Sequence, residues 1–132
     1  MKKEYRFSYQ APRELVMEKI SEVDYVFPKL FPPVKEIEGI GNGYKGSGKF
    51  LGMKFTLNIY KELSNNTIKY SFTLTTGGKT GRGELTFEVD EHEIVTLFSY
   101  EGWMEKISGV FFIERWFDNF SKEIEIEIKK IQ

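Results

Sequence analysis

Three runs of alternating apolar and polar residues follow one another between residues 53 and 89, and they change parity at each turn. Met53, Phe55, Leu57 and Ile59 are apolar on odd positions, Ile68, Tyr70, Phe72 and Leu74 on even positions, and Leu85, Phe87 and Val89 on odd positions again. A period of two belongs to strands with one buried and one wet face, the pattern of antiparallel sheets. Turn chemistry separates the runs at Gly41-Asn42-Gly43, Ser64-Asn65-Asn66, Gly77-Gly78 and Asp90-Glu91-His92. Connections this short join neighbouring strands, so Val34 to Trp103 predicts an antiparallel meander of about six strands.

The flanks add one strand and three helical pieces. Tyr5, Phe7 and Tyr9 alternate with Arg6 and Ser8, which predicts a strand. Pro12 suits a first helical position, Glu14 favours the positive end of the dipole, and Leu15, Val16, Ile20 and Val23 recur at helical spacing. A second short turn, Asp24 to Leu30, is cut by Pro28 and stopped by Pro32-Pro33. At the other end, Glu123 to Ile128 alternates strictly and reads locally as a strand. Ile113, Trp116, Phe117, Phe120, Ile124, Ile128 and Ile131 are nonetheless spaced by three and four throughout. The longer pattern prevails and predicts a helix from Val110 to Ile131, about 33 Å long and able to cross a curved sheet. The fold class is α+β, with a curved antiparallel sheet of about seven strands. Residues 1–132 read as a single domain without linker, repeat or low-complexity segment.

Composition removes whole classes of chemistry. There is no cysteine and one histidine, so thiolate chemistry, zinc ribbons and multi-histidine metal sites are excluded, and no cofactor or metal is expected. A net charge of -1 offers no global basic field for nucleic acid or anionic lipid. The longest aliphatic or aromatic run, Val110 to Ile113, is far too short to span a bilayer. A cytoplasmic protein without stable membrane insertion is expected. Lysine and glutamate dominate the charges, with 15 Lys against 4 Arg and 17 Glu against 3 Asp, a bias that fits a hyperthermophile.

The motifs that tempt fail on context. Gly41-Asn42-Gly43-Tyr44-Lys45-Gly46 matches a dinucleotide fingerprint, and Gly43 to Lys49 matches a phosphate loop until Phe50 replaces the required Ser or Thr. Gly78-Lys79-Thr80 has the right ending but Thr73 where the first glycine belongs. None is followed by the helix whose amino end would hold a phosphate. His92 sits among Asp90, Glu91 and Glu93 in a turn, far from any orienting acid and nucleophile, and reads as a surface residue. Glu123, Glu125 and Glu127 read as a solvated flank rather than as a converging catalytic pair. Gly46 and Gly48 share one face of a strand with Tyr44 and Phe50, which hints at a sharp bend with open space above it.

The order of strand, two short helices, six-stranded meander and closing helix resembles the START-like superfamily. Its members include polyketide cyclases (SRPBCC), lipid-transfer domains and birch-pollen-type allergens, and this chain looks like a small prokaryotic single-domain member. The resemblance is carried by Phe7-Ser8-Tyr9-Gln10-Ala11-Pro12 ahead of Leu15 and Val16, by Phe31-Pro32-Pro33-Val34-Lys35-Glu36-Ile37-Glu38, and by Gly41 to Gly48. It covers nearly the whole chain, but through proline and glycine placement rather than catalytic signatures. It implies a helix-grip fold, with the last helix across the concave face of the sheet and a hydrophobic cavity between them. Tyr9, Tyr44, Tyr70, Phe72, Tyr100, Trp103, Trp116 and Phe120 are the expected ligand-binding residues, with Trp103 and Met104 near a mouth. The same aromatics could instead fill the interior. The leading expectation is binding or transport of a hydrophobic small molecule, lipid-like or aromatic, without a catalytic residue. Two alternatives stay open: a cyclase-like enzyme polarising a carbonyl with a tyrosine or Arg115, and a protein-interaction domain without a ligand.

Overall fold

The computed structural model describes residues 1–105, 107 and 109–131. Strand β1 (Lys2–Ser8) is followed by helices α1 (Arg13–Ile20) and α2 (Val23–Leu30). Six strands come next: β2 (Val34–Ile40), β3 (Gly43–Phe50), β4 (Met53–Leu63), β5 (Thr67–Thr76), β6 (Lys79–Val89) and β7 (Glu93–Glu101). Helix α3 (Phe112–Lys129) closes the chain. All seven strands form one sheet in the order β1-β7-β6-β5-β4-β3-β2, antiparallel at every junction.

The parity changes in the sequence become register in the sheet. Leu57 stands opposite Leu74, Ile59 opposite Phe72, Ile68 opposite Phe87 and Tyr70 opposite Leu85, so every run turns its apolar set to the same face. Helices α2 and α3 cover that face, and α3 contributes Ile113, Phe117, Phe120, Ile124 and Ile128 to the core.

Three details differ from the sequence reading. Pro28 does not cut the second helical piece: α2 runs through it to Leu30. Proline in its second turn removes only the amide that would bond to Asp24, and the helix ends two residues later. The closing helix is shorter than Val110 to Ile131, with 18 residues or about 27 Å. Val110 is held instead in an isolated bridge with Ile107. Within α3 the alternation of Glu123 to Ile128 has a visible cost, since it leaves Ile126 on the solvent side, 56% exposed. Finally, Gly46 and Gly48 do not leave open space. A Cβ on Gly48 would collide with the Pro33 carbonyl and the Phe55 ring, and one on Gly46 would touch Ile37 and Leu57.

The β3–β4 connection is the two-residue turn Leu51-Gly52, in which both residues have positive φ, 50° and 80°. Chain direction places this turn, the β5–β6 turn at Gly77-Gly78, the end of β7 and the start of α3 at one end of the sheet. The turns at 41–42, 64–66 and 90–92 lie at the other.

Candidate functional site

Between the sheet and α3 lies a continuous network of aromatic rings. Phe27 meets Tyr70 edge-on at 5.3 Å and Phe72 at 5.7 Å. Phe31 meets Phe72 at 5.2 Å and Trp116 at 6.2 Å. Phe72 lies nearly parallel to Tyr100 at 6.3 Å and to Phe98 at 6.2 Å. Phe98 in turn stacks on Phe117, which neighbours Phe120. Aromatic pairs at these separations each add a modest preference beyond area burial. Together they fill the interior with rings.

Of the eight expected ligand residues, Tyr70, Phe72, Tyr100, Trp116 and Phe120 belong to this network. Trp103 sits at its rim, with its indole N–H donating to the Leu74 carbonyl at 2.9 Å. Met104 beside it is buried. Tyr44 lies half-buried near the sheet edge with the Lys61 ammonium over its ring. Tyr9 lies at the opposite end, its hydroxyl donating to the Asp90 carbonyl. Arg115, weighed as a carbonyl-polarising group, is exposed on α3 and faces solvent.

The hydroxyls inside the grip differ in their satisfaction. Tyr70 donates to the Ile20 carbonyl at 2.6 Å. Tyr100, equally buried, has no acceptor for its hydroxyl proton among the described residues. Its oxygen is polarised by the nearby Met104 amide, yet no acceptor takes its proton. Ser121 on α3 carries a second unpartnered buried hydroxyl. Burial pushes the Tyr100 phenol up to about 12, and burial likewise raises Tyr70. Both remain neutral hydrogen-bonding groups across the physiological range. Among the described residues, the only buried polar side chains outside the tyrosines are Thr96 and Ser121, so no carboxylate or imidazole lies in the core.

Glycines shape this ring network in a strand the sequence reading did not single out. A Cβ on Gly81 would overlap the Tyr100 hydroxyl, and one on Gly83 would overlap Phe72 and the Ser99 carbonyl. The two rings therefore lie flat against β6 because β6 has no side chain there. The i, i+2 glycine pair was visible in the sequence, as was the Val23, Val26, Phe27, Leu30 stripe that brings Phe27 into the ring network.

His92 and the glutamates have structural partners. Asp90 accepts from the His92 and Glu93 amides, leaving the imidazole exposed in its turn. Glu125 accepts from Tyr5 and Lys129, Glu123 pairs with Lys29, and Glu127 pairs with Lys130. Concavities also open on the surface of the molecule. One of about 660 Å³ opens on the outer face of the sheet beside Tyr60, Ser71, Thr73, Arg82 and Glu84. Another, about 870 Å³, lies beside Ser8, Tyr9, Gln10, His92, Lys129 and Ile131.

A protein-family model matches residues 1–132, the full chain. No curated protein matches the sequence. Solved structures share the architecture at low identity. A conserved protein from Geobacillus kaustophilus superposes with a TM-score of 0.67 at 15% identity, covering 96% of this chain and 97% of the other. A START superfamily protein from Mycobacterium smegmatis gives 0.64 at 10% identity, covering 98% and 97%. An aromatase/cyclase from a Streptomyces species gives 0.54 at 17% identity, covering 96% and 87%.

Proposed function

The chain belongs to the START-like superfamily, and from that premise we propose that residues 1–132 act as one domain that binds a small hydrophobic molecule between the sheet and α3. The observation that carries this reading is the Tyr100 hydroxyl, buried among rings with no acceptor for its proton among the described residues. Buried polar groups are almost always paired, because an unmet one costs roughly 1–3 kcal/mol. A ligand carrying one hydrogen-bond acceptor supplies the missing partner while its apolar body lies against Phe72 and Trp116. Because rings fill the interior, the ligand enters by displacing them, past Trp103 and Met104 at the rim. Gly102, next to Trp103, and Gly109 both stand at positive φ.

Neutral hydroxyls without a core carboxylate or imidazole favour holding over acid–base catalysis. The cyclase alternative has lost Arg115 to solvent and retains only neutral phenols.

The test is a panel of fatty acids, sterols and flavonoids read by tryptophan emission and by melting temperature. Trp103 and Trp116 are the only tryptophans, and both lie at the rim or wall of the site. Saturable emission change with a rise in melting temperature is expected for at least one class, since a ligand of the native state alone must stabilise it. Tyr100→Phe should weaken ligands with an acceptor by about fivefold, the equivalent of ~1 kcal/mol for one neutral hydrogen bond, and spare those without one. A panel producing neither signal refutes the reading.

A further inference from the structure

The turn between β3 and β4 breaks three rules of fold chemistry at once. A two-residue hairpin turn with both φ angles positive favours Asn-Gly or Gly-Gly, yet its first position is Leu51, at φ 50°. That strain is not offset by burial, for Leu51 is 61% exposed. Beside the turn, Lys49 stands directly opposite Lys54 across the two strands, an arrangement of like charges that destabilises a hairpin. Neither lysine has a carboxylate partner among the described residues.

The surroundings extend this pattern. The Thr76 hydroxyl donates to the Lys54 carbonyl at 2.6 Å, and Thr76 pairs with Lys79, so a third exposed lysine adjoins the first two. Phe50, the last residue of β3, packs its ring on Phe112 at 4.9 Å. Leu51 and Phe111 are the chain neighbours of these two rings, and Phe111 is 48% exposed. Arg115 is exposed one helical turn further on. Of the acids at this end, Glu105 pairs with the Met1 ammonium at 3.3 Å and Glu114 with Lys3 at 3.2 Å, while Glu101 at the end of β7 is exposed.

We propose that this end of the molecule docks reversibly on an anionic membrane surface, with Leu51 and Phe111 entering the headgroup boundary and Lys49, Lys54 and Lys79 meeting lipid charge. An apolar tip inside a ring of unneutralised lysines complements a surface that is diffusely negative outside and apolar beneath. A folded protein partner would have to present a matching hydrophobic hollow rimmed by acids. No helix among the described residues is long and apolar enough to cross a membrane, so the attachment is peripheral.

Sedimentation with vesicles tests this. The chain is expected to pellet with phosphatidylcholine–phosphatidylserine vesicles, to stay in solution with phosphatidylcholine alone, and to be released by salt. Lys49→Ala and Lys54→Ala should each weaken binding about fivefold. Leu51→Asn separates docking from folding: asparagine accepts the left-handed conformation, so the melting temperature should hold or rise while vesicle binding falls several-fold. Failure to pellet with anionic vesicles, equal binding to both compositions, or undiminished binding by Leu51→Asn overturns the proposal. The ligand panel is read without vesicles, so neither result decides the other.

Discussion

Removing the same atom from two tyrosines of one sheet face should change stability in opposite directions. Tyr70 and Tyr100 are both buried, point into the same aromatic network and differ in whether the hydroxyl proton has somewhere to go. Tyr70→Phe removes the bond to Ile20 and leaves that carbonyl buried and unmet, which costs about 1–2 kcal/mol. Tyr100→Phe removes a donor that already lacks an acceptor. The deleted oxygen forfeits its contacts with Gly81 and its weak polarisation by Met104, worth a few tenths of a kcal/mol at the ~0.1–0.2 kcal/mol of a single atom pair. Relief of the unmet hydroxyl is larger, on the order of 1 kcal/mol, and wins. For a chain of 132 residues, 1 kcal/mol corresponds to roughly 3–5 °C. Tyr70→Phe should therefore melt several degrees below the unmodified chain and Tyr100→Phe a few degrees above it, with urea titrations giving the same order at unchanged slope. If Tyr100→Phe melts as low as Tyr70→Phe, the hydroxyl is partnered, and the argument for a ligand that completes it fails.

Two further perturbations probe the frame around the site. The His92 and Glu93 amides, at 2.8 and 2.6 Å, hold the Asp90 carboxyl below its ordinary 3.8. A depressed carboxylate stabilises above its unfolded value and loses that contribution as pH falls through the folded one. Asp90→Ala should thus be less stable at neutral pH and lose less on acidification below 3.8, as followed by urea unfolding across a pH series. Gly48→Ala drives a methyl into the Pro33 carbonyl, a backbone atom that cannot swing aside, and should cost roughly 1–3 kcal/mol by thermal melt. Gly46→Ala, with neighbours no nearer than 3.4 Å, should cost distinctly less.

The sheet was legible because its information is local. Alternation at 53–59, 68–74 and 85–89 sets which face each strand buries, and four short turns leave antiparallel neighbours as the simple solution. Helix α3 was legible because seven residues spaced by three and four outweigh a six-residue alternation, with the exposed Ile126 marking what the weaker pattern left behind. The state of the interior was not legible. Inward position says that an aromatic ring points into the grip, but whether the rings enclose space or fill it depends on how flat each can lie. That is decided by absent side chains on the neighbouring strand, at Gly81 and Gly83 of β6.

The difference between Tyr70 and Tyr100 is of the same non-local kind. A helix ends with carbonyls that its own amides cannot reach, and α1 stops at Ile20, directly above β5. Tyr70, fifty residues later in the chain, answers that need, so its hydroxyl closes the far side of the grip. On β7, no carbonyl among the described residues answers Tyr100 in this way. The chain leaves the sheet through Gly102 at φ 144°, tucked against Gly81. Among the described residues the fold thus answers Tyr70 and leaves Tyr100 unmet, as it does Tyr25 on α2 and Ser121 on α3; of these three, Tyr100 is the one on the strand that leads into the rim. In a binding domain, that is where a ligand's acceptor would be needed.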